Sequence, residues 1–230
     1  MTIVSRPTSV QSLLGGSIEL PARACGHEPG SEVSPWVGQP GTAGHVAVIG
    51  AGKMGLPLAA QFADHGWRVT AVDVQEAVVD AINEGRSHVG EEPGLADLVR
   101  AAHGRGRLRA TTDAAEAARV ADVVVLIVPV MLDDLQQPDY RHMDAAVDSI
   151  APGIHEGSVV IFETTLPVGD TRERFTPRLE AVSGLTAEED FFVAFSPERL
   201  YSGAALKNLA TYPKLVGGIG PKSTARAAAF

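Results

Sequence analysis

His45-Val46-Ala47-Val48-Ile49-Gly50-Ala51-Gly52-Lys53-Met54-Gly55 decides how this chain is read. Val46 to Ile49 is a short apolar run with β-branched residues, which favours an extended strand. It ends in Gly50, and residues 50–55 fit G-x-G-x-x-G. Met54, Leu58 and Phe62 then recur four apart, on one face of a helix. Residues 68–72 read as a second strand, with Asp73 at its end. The three glycines serve different physical ends. Gly50 permits the tight strand-to-helix turn, Gly52 lets a pyrophosphate approach the backbone, and Gly55 lets helix and strand pack closely. The N–H groups that open the helix then face the phosphates, with the helix dipole behind them. Asp73 follows Gly50 at close to the spacing of about 20 residues expected of a carboxylate that takes a ribose hydroxyl pair. An acid there favours NAD over NADP, because it repels a 2′-phosphate.

The chain of 230 residues is long enough to bury one large domain or two small ones. Its net charge of −9 argues against a nucleic-acid or anionic-membrane surface. The single cysteine, Cys25, excludes an internal disulfide framework and suits a reducing cytosol, so a cytoplasmic location is expected. No apolar run approaches the roughly 18 residues of a membrane span, and no basic start precedes an apolar block as in a signal peptide.

Residues 1–43 hold 6 Gly, 5 Pro and 6 Ser and show little periodicity, so they are expected to form a mostly disordered tail. Cys25, His27 and Trp36 in it read as solvated residues, since one Cys–His pair is far short of a metal cage. From residue 44 onward strand and helix patterns alternate. Helices are expected over 75–82, 95–102, 143–150 and 170–182, with strands over 108–110, 121–128, 158–162, 191–195 and 214–216. Residues 104–109 are basic and read as a solvated turn rather than a phosphate clamp. Asp113 with Glu116 makes a capping-box-like helix start, and residues 130–138 read as a loop. Alternation of this kind predicts an α/β fold, a doubly wound parallel sheet of Rossmann-like type. Such sheets bind ligands outside the carboxyl ends of their strands. The glycine turn, Asp73, the Glu163/Thr165 turn and Glu198 all fall there. Lys214 reads as a solvated strand end.

Four segments together resemble the N-terminal part of the nucleotide-sugar dehydrogenases, the UDP-glucose and UDP-N-acetylmannosamine 6-dehydrogenase family. They are Gly50-Ala-Gly-Lys-Met-Gly-Leu-Pro57, Glu163-Thr-Thr-Leu-Pro-Val-Gly169, Ser196-Pro-Glu-Arg199 and Pro213-Lys-Leu-Val-Gly-Gly218. The resemblance covers about residues 45–230. It implies oxidation of the C6 alcohol of a UDP-sugar to a carboxylate with reduction of two NAD⁺. By that resemblance Gly50, Gly52, Lys53, Met54, Gly55 and Asp73 hold NAD, and Glu163 lies near the nicotinamide. Thr165 matches a threonine that helps hold a catalytic water, and Glu198 a glutamate that handles protons at the reacting carbon. Read from residues alone, Thr165 also fits a helix N-cap, and Glu198 a turn carboxylate paired with Arg199.

The chain departs from the family pattern in two places. Pro129 is followed by Val130-Met131, where the family often has a threonine against the cofactor. The family's nucleophilic cysteine, with its active-site lysine, asparagine and aspartate, is expected from segments beyond residue 230. So are the UDP-binding domain and the long central helix of a homodimer, of which 219–230 reads as the start and 44–218 as the NAD-binding domain. The expected function is therefore the cofactor-binding half of such an enzyme. The alternatives are a non-catalytic NAD-binding module, or a dehydrogenase of similar topology acting on a small 3-hydroxy acid, against which the 196–199 motif argues.

Overall fold

The computed structural model describes residues 44–230 together with the backbone of a strand at Thr2–Val4. That strand, β1, adds to a segment read from sequence as tail; the remainder of 1–43, with Cys25, His27 and Trp36, lies outside the described residues. The first full unit is β2 (His45–Ile49), α1 (Gly55–Asp64) and β3 (Arg68–Val72). Next come α2 (Glu76–Asn83), α3 (Leu95–Gly104), β4 (Leu108–Thr111), α4 (Ala114–Arg119) and β5 (Val123–Leu126). The expected loop at 130–138 is instead a small hairpin of β6 (Met131–Leu132) and β7 (Pro138–Asp139). Then follow α5 (Arg141–Ile150), β8 (Val159–Phe162), α6 (Thr176–Ser183), β9 (Phe192–Phe195), α7 (Ala205–Thr211), β10 (Lys214–Gly218) and α8 (Pro221–Ala229).

The helix expected over 170–182 has a π-helical first turn, Thr171–Phe175, before α6. Pro177 has no N–H for a regular helical bond, and the Thr176 hydroxyl reaches back to the Thr171 carbonyl at 2.6 Å.

The eight strands lie in the order β1-β10-β9-β8-β5-β2-β3-β4. From β4 to β9 all neighbours are parallel. Read in chain order, these six give the 3-2-1-4-5-6 sequence of a dinucleotide-binding fold, with its switch point between β2 and β5. The edge differs from the expected all-parallel sheet: β10 runs antiparallel to β9, pairing Gly217 with Phe195 and Gly218 with Ala194. β10 begins soon after α7, at the carboxyl edge of the sheet, and runs back antiparallel to β9.

The central strands are buried on both faces, which is why they read as unbroken apolar runs. Val46 and Val48 pack with Leu56, Ala59 and Val99 on one face. Ala47 and Ile49 pack with Ala117, Val147 and Phe175 on the other. Helix α8 rests on the same sheet, with Ala227 buried and the Ser223 hydroxyl accepting from the Val193 N–H at 2.9 Å. Among the described residues no helix is long and apolar enough to cross a membrane.

Candidate functional site

A cleft of about 620 Å³ opens above the carboxyl ends of β2, β3 and β5, at the switch point. Gly50, Gly52, Lys53, Met54, Gly55 and Asp73 all line it. The three glycines differ physically. Gly50 sits at φ +98°, a conformation that side chains rarely adopt. A Cβ on Gly55 would stand 1.8 Å from the Gly50 carbonyl oxygen, so this glycine is a packing requirement. A Cβ on Gly52 would meet no atom of the described residues within 4 Å. Nothing among the described residues requires glycine at 52, and the space beside it is open to the cleft.

Asp73 ties the cleft together. Its Oδ2 accepts from the Ala51 N–H at 3.1 Å and its Oδ1 from the Gln75 N–H at 3.0 Å. Each carboxylate oxygen has a second lone pair, so both can still receive a hydroxyl. A glycine turn opening a helix, an acid at the next strand end and apolar walls from Ile49, Val72 and Ile127 fit a dinucleotide. His142 and Ser149 also line the cleft, from α5, and were not singled out from sequence. The signal was available: 142, 145, 146 and 149 share one helical face. Pro129 lines the cleft, whereas Met131, two residues on, is exposed in the hairpin.

Lys53 is on the rim of the cleft, and its ammonium bonds both carboxylate oxygens of Glu91 at 3.0 Å. Glu91 also accepts from the Ser202 hydroxyl at 3.1 Å. Next to it, buried Glu92 accepts from the Ala205 and Leu206 N–H groups, each at 3.0 Å, and so caps α7. Two adjacent carboxylates thus fasten residues 202–206 to the loop that precedes α3.

Glu163 and Glu198 lie apart from this cleft. Glu163 is buried, 2 % exposed, and lines a second, mostly apolar cavity of about 300 Å³ on the α1 and α8 face of the sheet. Lys214 stands between the two acids, its Nζ 2.8 Å from Glu163 Oε2 and 3.7 Å from Glu198 Oε2. The reading of Lys214 as solvated is therefore corrected: the antiparallel course of β10 delivers it to the edge where β8 and β9 end. Burial pushes the Glu163 carboxyl above its usual range; Lys214 pulls it down and Glu198 pushes it up. Glu198 Oε1 accepts from the backbone N–H groups of Arg199 at 2.5 Å and Leu200 at 2.8 Å. Its turn is thus closed by the Arg199 amide, while the Arg199 guanidinium bonds the Pro213 carbonyl. Thr165 is exposed in the turn after β8, lines neither cavity, and does not cap a helix; the turn before Thr171 begins at Asp170.

Residues 44–230 match the NAD binding domain of the UDP-glucose/GDP-mannose dehydrogenase family. The NDP-N-acetyl-D-galactosaminuronic acid dehydrogenase of Ralstonia nicotianae is 38% identical over 183 residues, 77% of this chain and 42% of that protein. The UDP-N-acetyl-D-mannosamine dehydrogenase of Escherichia coli K12 is 36% identical over 188 residues, 79% of this chain and 44% of that one. The crystal structure of NDP-N-acetyl-D-galactosaminuronic acid dehydrogenase from Methanosarcina mazei superposes with a TM-score of 0.76 at 31% identity, covering 81% of this chain and 41% of the other. The chain spans less than half the length of these relatives.

Proposed function

The chain belongs to the UDP-glucose/GDP-mannose dehydrogenase family, whose domain of this type binds NAD, and from that premise we propose that it is the cofactor-binding half of an enzyme oxidising the C6 alcohol of a UDP-sugar to the carboxylate. The observation that carries this is the cleft in which the 50–55 turn and Asp73 meet. The turn and the first N–H groups of α1 hold the diphosphate. Asp73 takes the ribose hydroxyl pair, already oriented by Ala51 and Gln75. Bound NAD supplies the hydride acceptor that alcohol oxidation requires.

The C6 hydroxyl must also lose a proton, and a carboxylate within reach of it is the natural acceptor. Glu198 has the properties for this. One oxygen is fixed by two amides, while among the described residues Oε2 is buried without a hydrogen-bond partner. A buried acceptor left unpaired costs free energy that a ligand hydroxyl would recover. Thr165, exposed beside the end of β8, is open to a water-holding role there.

The test is incubation with NAD⁺ and either UDP-glucose or UDP-N-acetylmannosamine, following reduced-cofactor absorbance, with NAD⁺ affinity measured in parallel. The chain is expected to bind NAD⁺ without turning over either sugar by itself. Sugar-dependent turnover would contradict the half-enzyme reading, and failure to bind NAD⁺ would contradict the whole.

A further inference from the structure

The carboxyl edge of the sheet carries a charge cluster that the dinucleotide cleft does not use. Glu163 leaves the end of β8, Glu198 follows β9, and Lys214 opens β10. Apolar groups, among them Leu58, Phe62, Ile161 and Val216, surround the Glu163 end. In such surroundings charges interact more strongly than in water, and an unpaired charge is costly. Two acids placed together there need a cation between them to hold one arrangement. Among the described ion pairs, Lys214 is the cation that reaches both. Arg199, the nearest other cation in sequence, turns its guanidinium to a backbone carbonyl.

The two contacts differ. At 2.8 Å Glu163 makes a full hydrogen bond to the ammonium, so it anchors Lys214. At 3.7 Å Lys214 acts on Glu198 Oε2 through its field, without occupying the oxygen as a donor. Together with the two amides on Oε1, this fixes the carboxylate while leaving Oε2 able to accept. We propose that Lys214 is a positioning residue, anchored by Glu163, whose ammonium sets the place of the Glu198 carboxylate at the sheet edge. Glu163 thereby acts through Lys214 rather than on the nicotinamide. The inference deepens the functional reading above and rests on it for the role of Glu198.

The experiment is a ¹³C-carboxyl NMR titration of glutamate-labelled chains: the parent, Lys214→Arg, Lys214→Met, and the charge-balanced double variant Lys214→Met/Glu163→Gln. In Lys214→Met the Glu163 carboxyl is expected to bind its proton at least about tenfold more tightly, one unit on the pH axis, and the Glu198 line to move. Lys214→Arg is expected to return both close to the parent. Glu163 and Glu198 lines in Lys214→Met that superimpose on those of the parent throughout would overturn the proposal. Should Lys214→Met fail to fold, the double variant decides: a displaced Glu198 line supports the clamp, and an unmoved one overturns it. NAD⁺ affinity on the same samples separates the two claims. It is expected to be unchanged by Lys214→Met, because Lys214 lies outside the cleft. A parent chain that binds no NAD⁺ contradicts the functional reading and leaves the clamp result standing.

Discussion

Asp73 Oδ2 accepts the backbone N–H of Ala51 at 3.1 Å, joining the end of β3 to the middle of the glycine turn. One side chain therefore shapes the turn and, in the function proposed above, offers oxygens to a ribose. Asp73→Ala removes both functions. NAD⁺ affinity is expected to fall at least tenfold, with a loss of about 1–2 kcal/mol in stability for the two missing bonds, to Ala51 and Gln75. Calorimetric binding and thermal melting measure the two; a variant that binds as tightly as the parent would sink the ribose role.

The glycines at 52 and 55 are expected to fail differently. Gly55→Ala drives a Cβ into the Gly50 carbonyl oxygen. Because the obstacle is backbone, the cost is expected to meet or exceed the usual 1–3 kcal/mol or so of overpacking. Gly52→Ala meets no atom of the described residues, so melting should be unchanged while NAD⁺ affinity drops about tenfold or more. Equal effects of the two substitutions on both measurements would contradict the assignment of open space above Gly52 to a ligand.

Glu163 gives a pH signature. Its folded-state proton affinity is raised, chiefly by burial. A raised carboxyl binds protons better in the native state than in the unfolded one, so its contribution is fully present below the ordinary value of 4.5 and is lost as pH rises from there through the raised value. Glu163→Gln carries no such loss. Melting of parent and variant across pH 4 to 8 should therefore show the variant gaining relative stability as pH rises. A constant difference, or one that moves the other way, would contradict the burial argument.

Glu91 and Glu92 are neighbours with opposite expectations. Glu91 forms an exposed ion pair with Lys53, and such pairs contribute little, so Glu91→Gln should leave melting unchanged. Glu92 is 7 % exposed and bonds two amides at the start of α7. Glu92→Ala is expected to cost about 1–2 kcal/mol, the range of a lost helix cap. Denaturant unfolding of both variants checks the contrast.

What the sequence disclosed was whatever is encoded locally. The β2-turn-α1 unit, Asp73 at the next strand end, and the Asp113 cap on Glu116, seen at 2.9 Å, each rest on residues close together in the chain. The mostly parallel sheet followed from alternation. What stayed hidden depends on strand direction and distant pairing. Lys214 looked solvated because a parallel strand would have placed it at the far edge; the reversal of β10 set it against Glu163, 51 positions away in the chain. Glu92 capping α7 spans 113 positions to Ala205, and no pattern in either segment announces it. The hairpin at 131–139 was missed because its strands are two residues each, too short for alternation to show.

The central claim is that the cleft between the 50–55 turn and Asp73 holds NAD. Titration of the chain with NAD⁺ and with NADP⁺ by isothermal calorimetry tests it most directly. Saturable NAD⁺ binding, with NADP⁺ weaker by about tenfold or more because its 2′-phosphate faces the Asp73 carboxylate, is the expected result. Absence of NAD⁺ binding, or tighter binding of NADP⁺, would contradict it.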